Sequence, residues 1–140
     1  MYNRYLITGS TGFLGRAIIE KLVRRNVRVD ALVLRNDPYA ALLPEEVHTV
    51  IGDVCEDDSL ERFFADADNN TCVIHCAGII SVASRSGSKL YQVNIGGTCN
   101  VVRQCLEHHI GKMIYVSSVH AIPEKPKNCV ITEDCEFSPG

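Results

Sequence analysis

The chain has 140 residues, with 14 Lys or Arg against 17 Asp or Glu, a net charge of −3, and 46% hydrophobic residues. This is the composition of one soluble globular domain, and it lacks the basic surplus that a nucleic-acid binder carries. Apolar stretches such as Leu32–Leu34 are far too short to cross a bilayer, and no charged leader with a long apolar core precedes Tyr5–Ile7, so a cytoplasmic protein with neither membrane nor nucleic-acid partners is expected.

Arg4–Thr8 is a short apolar run that ends in Thr-Gly and predicts a buried strand. Phe13–Arg25 has helical periodicity, with Leu14, Ile18 and Leu22 on one face and Ala17 beside them. Lys21, Arg24 and Arg25 complement the helix dipole at its end, and Asn26 suits a left-handed exit. Between strand and helix stand Gly9, Gly12 and Gly15, where a plain turn would need only one glycine. At this spacing each has a separate use: Gly9 for the tight turn, Gly12 for close approach of the backbone to a diphosphate, Gly15 for close packing of helix on sheet. The amides that open the helix then face the phosphates.

Arg28–Leu34 predicts the second strand, and Tyr39–Leu43 is a short apolar piece between Pro38 and Pro44. Val47–Ile51, closed by Gly52, predicts the third strand; Ser59–Ala67 a helix with Leu60, Phe63 and Phe64 inward; Cys72–His75 the fourth strand. Lys89–His109 predicts one long helix with Leu90, Val93, Gly97, Val101 and Cys105 on one face, and Lys112–Ser117 the fifth strand. Gly96 and Gly97 would each cost that helix about 1 kcal/mol, so a packing reason is expected. The tail from Ala121 to Gly140 holds three of the five prolines and reads as loop. Alternating strands and helices call for an α/β fold, a doubly wound parallel sheet of Rossmann type, ending after the fifth strand.

Five motifs fall in order at the ends of these elements: Thr8-Gly9-Ser10-Thr11-Gly12-Phe13-Leu14-Gly15, Gly52-Asp53-Val54, His75-Cys76-Ala77-Gly78, Val93-Asn94-Ile95-Gly96-Gly97-Thr98, and Ile114-Tyr115-Val116-Ser117-Ser118. Together they resemble the extended branch of the short-chain dehydrogenase/reductase family, which includes sugar-nucleotide epimerases, dehydratases, dihydroflavonol-type reductases and hydroxysteroid dehydrogenases. The resemblance implies a nicotinamide dinucleotide held by Gly9, Thr11, Gly12, Phe13, Leu14 and Gly15, with Asp53 at the adenine and Val54 lining its pocket. Ala77 and Gly78 would run beside the nicotinamide ribose, and Asn94 would stabilise a local helix distortion. Ser118 would be the catalytic serine that hydrogen-bonds the reacting oxygen, with Ser117 the alternate one residue earlier. His75 reads as a packed strand histidine.

Arg35, twenty residues after Gly15, stands where NAD enzymes usually carry an acid. Its planar cation suits a 2′-phosphate, with Arg16 able to close on the same group, so NADP is expected; Asp37, two residues on, is the group that would accept an NAD ribose. The resemblance also implies a Tyr-x-x-x-Lys pair, and none of the five tyrosines has Lys four places on. The chain is therefore expected to be the front, cofactor-binding portion (1–140) of a longer enzyme acting on a small-molecule substrate, inactive alone, without the substrate lobe, and prone to self-association along its fifth strand. The alternative is a non-catalytic dinucleotide-binding regulatory module. The long helix suggests a homodimer by the same resemblance. The seven cysteines show no metal-ligand spacing and read as reduced thiols, with no metal site.

Overall fold

The computed structural model describes residues 2–80, 87–118, 121–122 and 129–135. Five strands form one parallel sheet: β1 (Arg4–Thr8), β2 (Arg28–Val33), β3 (His48–Ile51), β4 (Thr71–His75) and β5 (Lys112–Tyr115). Their order is β3-β2-β1-β4-β5. The chain winds outward from β1 to one edge, then crosses back to β4 and winds to the other. The switch point therefore lies between the carboxyl ends of β1 and β4, where open α/β sheets bind their ligands.

Side chains along the central strands alternate between two cores, as the pleat requires. Leu6, Leu32 and Val73 face one side with Phe63, Phe64 and Val101 from α2 (Asp57–Phe64) and α4 (Thr98–Glu107). Ile7, Ala31, Val33 and Ile74 face the other, with Ile19 and Leu22 from α1 (Phe13–Val23). The predicted run of fully covered strands holds for β1, β2 and β4, whereas the edge strands β3 and β5 are mostly exposed. Among the described residues no disulfide forms, and no helix is long and apolar enough to cross a membrane.

Three departures from the sequence pattern have clear causes. The buried face of α1 is Gly15, Ile19 and Leu22; Leu14 is exposed and Ile18 only half-buried. A Cβ on Gly15 would overlap the Gly9 carbonyl oxygen, so this contact sets how the helix is rotated about its axis. Helix α2 starts two residues early because Asp57 and Asp58 favour a helix N-terminus, and it stops where Asp66 takes a left-handed φ of 59°. The long helix is not regular: α3 (Ser88–Tyr91) passes through a π-helical stretch, Gln92–Gly97, into α4. The glycine pair has a packing reason at Gly97 alone, where a Cβ would lie 2.5 Å from Val54 Cγ2; at Gly96 a Cβ would meet nothing. The expected left-handed exit at Asn26 is present, with φ 54°.

One feature of β2 does not follow the apolar reading. Asp30 is fully buried, and its carboxylate takes the Arg4 Nε (2.6 Å) and His48 Nδ1 (2.7 Å), with Arg28 also in range. Three donors around one buried carboxylate offset its desolvation.

Candidate functional site

A cleft of about 390 Å³ opens at the switch point. Seven of the predicted residues line it: Gly9, Thr11, Gly12, Asp53, Val54, Ala77 and Gly78. Gly9 has φ +65°, and a Cβ there would sit 2.6 Å from the backbone of Cys76 and Ala77. That position is thus closed to L side chains, and the chain leaving β1 touches the chain leaving β4.

Gly12 is the cap of α1, and its N–H bonds to Gly9 O at 3.1 Å. A Cβ on Gly12 would meet only that oxygen, at 3.2 Å, so the space beyond is open cleft. No side chain caps α1 and no acid occupies its first turn. The opening amides, Phe13 and Leu14 among them, keep their donor capacity and the positive end of the dipole is uncompensated. The side chains of Phe13 and Leu14 are exposed and do not line the cleft, so these residues can contribute only backbone. The cradle fits a diphosphate. Arg16 does not line it; its Nε is buried with no hydrogen-bond partner among the described residues.

At the β2 end, a left-handed turn at Asn36 (φ 61°) sends Asp37 and Arg35 to different places. Asp37 turns back into the cleft, where its carboxylate accepts the Thr11 hydroxyl (2.7 Å) and the Tyr39 N–H (2.9 Å). Arg35 stands outside the main cleft and lines an adjoining cavity of about 310 Å³ with Arg62 and Glu56. The two cavities share Leu34, Gly52 and Asp53. Asp53 is held by its neighbours: its carboxylate accepts the Cys55 N–H, and its own N–H bonds to the buried Ser59 hydroxyl.

At the opposite end, Asn94 does not reach the cleft. Its side-chain oxygen accepts the Ile79 N–H (2.7 Å) and its amide donates to Ile79 O (2.9 Å). Asn94 lies within the π-helical stretch, so the expected helix distortion is there, and it clamps the loop that forms the cleft wall. His75 is fully buried between Thr8 and Thr98 and stacks on Tyr115 (5.7 Å). Burial holds its pKa down at about 4. Cys76 also lines the cleft, and burial pushes its thiol up, away from a reactive thiolate. Ser118 is exposed beyond β5, its carbonyl accepting the Ala121 N–H, and it is not among the residues that line the cleft.

Several lining residues escaped the motif reading: Leu32 and Leu34 at the end of β2, Ile79 and Lys89; Val93 opens the fourth motif but was read only as part of a helix face. The leucines were recoverable from the rule that the crevice lies beyond the carboxyl ends of strands. Lys89 carried no comparable signal, since α3 reaches the cleft only through the fold.

The sequence model of the 3-beta hydroxysteroid dehydrogenase/isomerase family matches residues 6–137. The chain belongs to this family. It is 30% identical over 130 residues to human 3 beta-hydroxysteroid dehydrogenase type 7, covering 88% of this chain and 34% of that protein. It is 32% identical over 115 residues to the 2-alkyl-3-oxoalkanoate reductase of Stenotrophomonas maltophilia, covering 82% and 33%. Among solved structures, the UDP-glucose 4-epimerase of Thermus thermophilus in complex with NAD superposes with a TM-score of 0.85 at 26% identity, over 97% of this chain and 44% of that one. The chain thus spans about a third of the length of these curated relatives. The extended short-chain dehydrogenase/reductase resemblance and the Rossmann-type fold both hold.

Proposed function

We propose that the cleft binds a nicotinamide dinucleotide and that the whole hydroxysteroid dehydrogenase-family protein uses it on a hydroxyl/carbonyl pair, by oxidation or reduction or through a keto intermediate in an epimerisation or dehydration. The observation that carries this is the uncapped start of α1 beside the open face of Gly12. Opening amides of α1 would hold the diphosphate, Asp53 and Val54 the adenine end, and Ala77 and Gly78 the nicotinamide ribose. The bound nicotinamide would supply or accept hydride. Ser118 would hydrogen-bond the reacting oxygen in the whole protein, where a Tyr-x-x-x-Lys pair would move the proton. Binding of a dinucleotide to the whole protein, with turnover of a hydroxyl or carbonyl substrate, supports the reading; tight binding with no turnover on any such substrate favours a regulatory module.

For the adenosine end we infer NADP. Both oxygens of Asp37 already accept bonds from the chain, while Arg35 and Arg62 have no ion-pair partner among the described residues. Two such guanidiniums in the cavity that adjoins the adenine wall suit a 2′-phosphate. NADP is expected to bind the whole protein at least ~10-fold tighter than NAD, and Arg35→Ala to erase most of that preference, as about 1–2 kcal/mol of charge-assisted bonding is lost. Titration calorimetry with both dinucleotides measures this. Equal or tighter binding of NAD by the wild type would overturn the assignment to Arg35.

A further inference from the structure

The hydrogen bonds around His75 fix where every proton sits. Asn94 O can only accept, so the Thr98 hydroxyl (2.8 Å away) gives its proton there. Thr98 Oγ1 must then accept from His75, which places hydrogen on Nε2 (2.9 Å). A neutral ring with Nε2–H has a bare Nδ1, and this accepts the Thr8 hydroxyl proton at 2.6 Å. Thr8 Oγ1 in turn accepts the Ala77 N–H at 3.3 Å. Four hydrogen bonds thus run in one direction, from the backbone of the cleft loop to the backbone of the π-helical stretch, with the imidazole as the middle link.

The same loop and the same π-helical stretch are joined a second time, by the Asn94 side chain on Ile79. Ala77, Gly78 and Ile79 form the cleft wall at the end away from Asp37. That wall is therefore held from behind by an interior chain whose linking side chains, Thr8, His75 and Thr98, are not among the residues that line the cleft. The series cannot run the other way, because the Ala77 N–H at one end can only donate and the Asn94 carbonyl at the other can only accept; a ring nitrogen that changed roles would leave a bond to Thr98 or Asn94 unmade, so the wall has one arrangement while the imidazole keeps this tautomer.

We propose that His75, as the Nε2–H tautomer, is a positioning residue for the nicotinamide half of the dinucleotide. It locks the end of β1, the loop Cys76–Ile79 and the π-helical stretch into one frame. The proposal rests on the dinucleotide reading above and adds to it a residue that acts through others.

The test uses the whole protein, its tighter-binding dinucleotide, and that ligand's nicotinamide-free fragment (ADP-ribose or its 2′-phosphate). Histidine-selective ¹⁵N spectra, with His75 assigned by its loss in His75→Phe, are expected to show a protonated Nε2 and a bare Nδ1. His75→Phe removes both ring bonds; Thr98→Val, nearly the same shape, removes only the link to the π-helical stretch and guards against a misfolded phenylalanine variant. Each is expected to weaken the dinucleotide about tenfold and the fragment less than about twofold. An Nδ1–H tautomer overturns the proposal. So does wild-type affinity for the dinucleotide in Thr98→Val, or an equal loss of both ligands in the folded variants, which is what general loosening would give. Failure of the wild type to bind either ligand would instead remove the dinucleotide reading itself.

Discussion

A Gly12→Val variant is expected to melt within a few degrees of the wild type and to lose ~100-fold or more in dinucleotide affinity, roughly 3 kcal/mol. The backbone at Gly12 has φ −69° and ψ 167°, an extended conformation that valine adopts readily. An added Cβ meets one carbonyl oxygen at 3.2 Å and otherwise open space, so the fold has little to relieve. The two methyl groups would then occupy the approach of a diphosphate to the first turn of α1. Gly15→Ala is the counterpart. Its methyl would overlap Gly9 O and lie 2.9 Å from Ser10 Cα, both backbone atoms that cannot swing aside. That variant is expected to lose on the order of 1–3 kcal/mol of stability as well as binding, the usual cost of overpacking. Thermal melting beside calorimetric titration separates the two cases. Undiminished affinity in a folded Gly12→Val protein would show that the cradle holds no diphosphate.

This contrast also shows what was legible in the chain before folding. Three glycines between a strand and a helix announce their roles through spacing, because each role is local. The rotation of α1 was not legible. It depends on the Gly15–Gly9 contact, which moves the buried face from Ile18 to Ile19. The positions of Arg35 and Asp37 depend on a single left-handed residue between them, Asn36, whose effect on direction no periodicity records. Buried polar partners were the least visible. Asp30 sits in an apolar run and is matched by Arg4 and His48 from the neighbouring strands. His75 reads correctly as a packed strand histidine, yet Thr8 and Thr98 stand 67 and 23 residues away from it and only sheet pairing and helix packing bring them together.

Stability is expected to fall by roughly 3 kcal/mol between pH 6.5 and pH 4 on account of His75 alone. The folded state holds this imidazole neutral down to about pH 4, against an ordinary value of 6.5, because burial penalises its charged form. Between those values the unfolded chain binds a proton that the folded chain does not, so acid favours unfolding. The contribution is complete above pH 6.5, drains away as the pH falls toward 4, and changes no further below it. The structural cost is visible too. A second ring proton would have to sit on Nδ1, facing a Thr8 oxygen that the Ala77 amide already engages, and the directed chain would break at its middle. Asp68 acts in a separate range: its carboxyl is held below 3.8, chiefly by the Asn70 backbone N–H, so its share is lost only under more acid conditions. Urea melts of wild type and His75→Phe at pH 7.5 and 4.5 isolate the histidine, because the phenylalanine variant has no group to protonate there. Equal losses in the two proteins across that interval would assign the acid sensitivity elsewhere and leave the buried imidazole without the role argued for it.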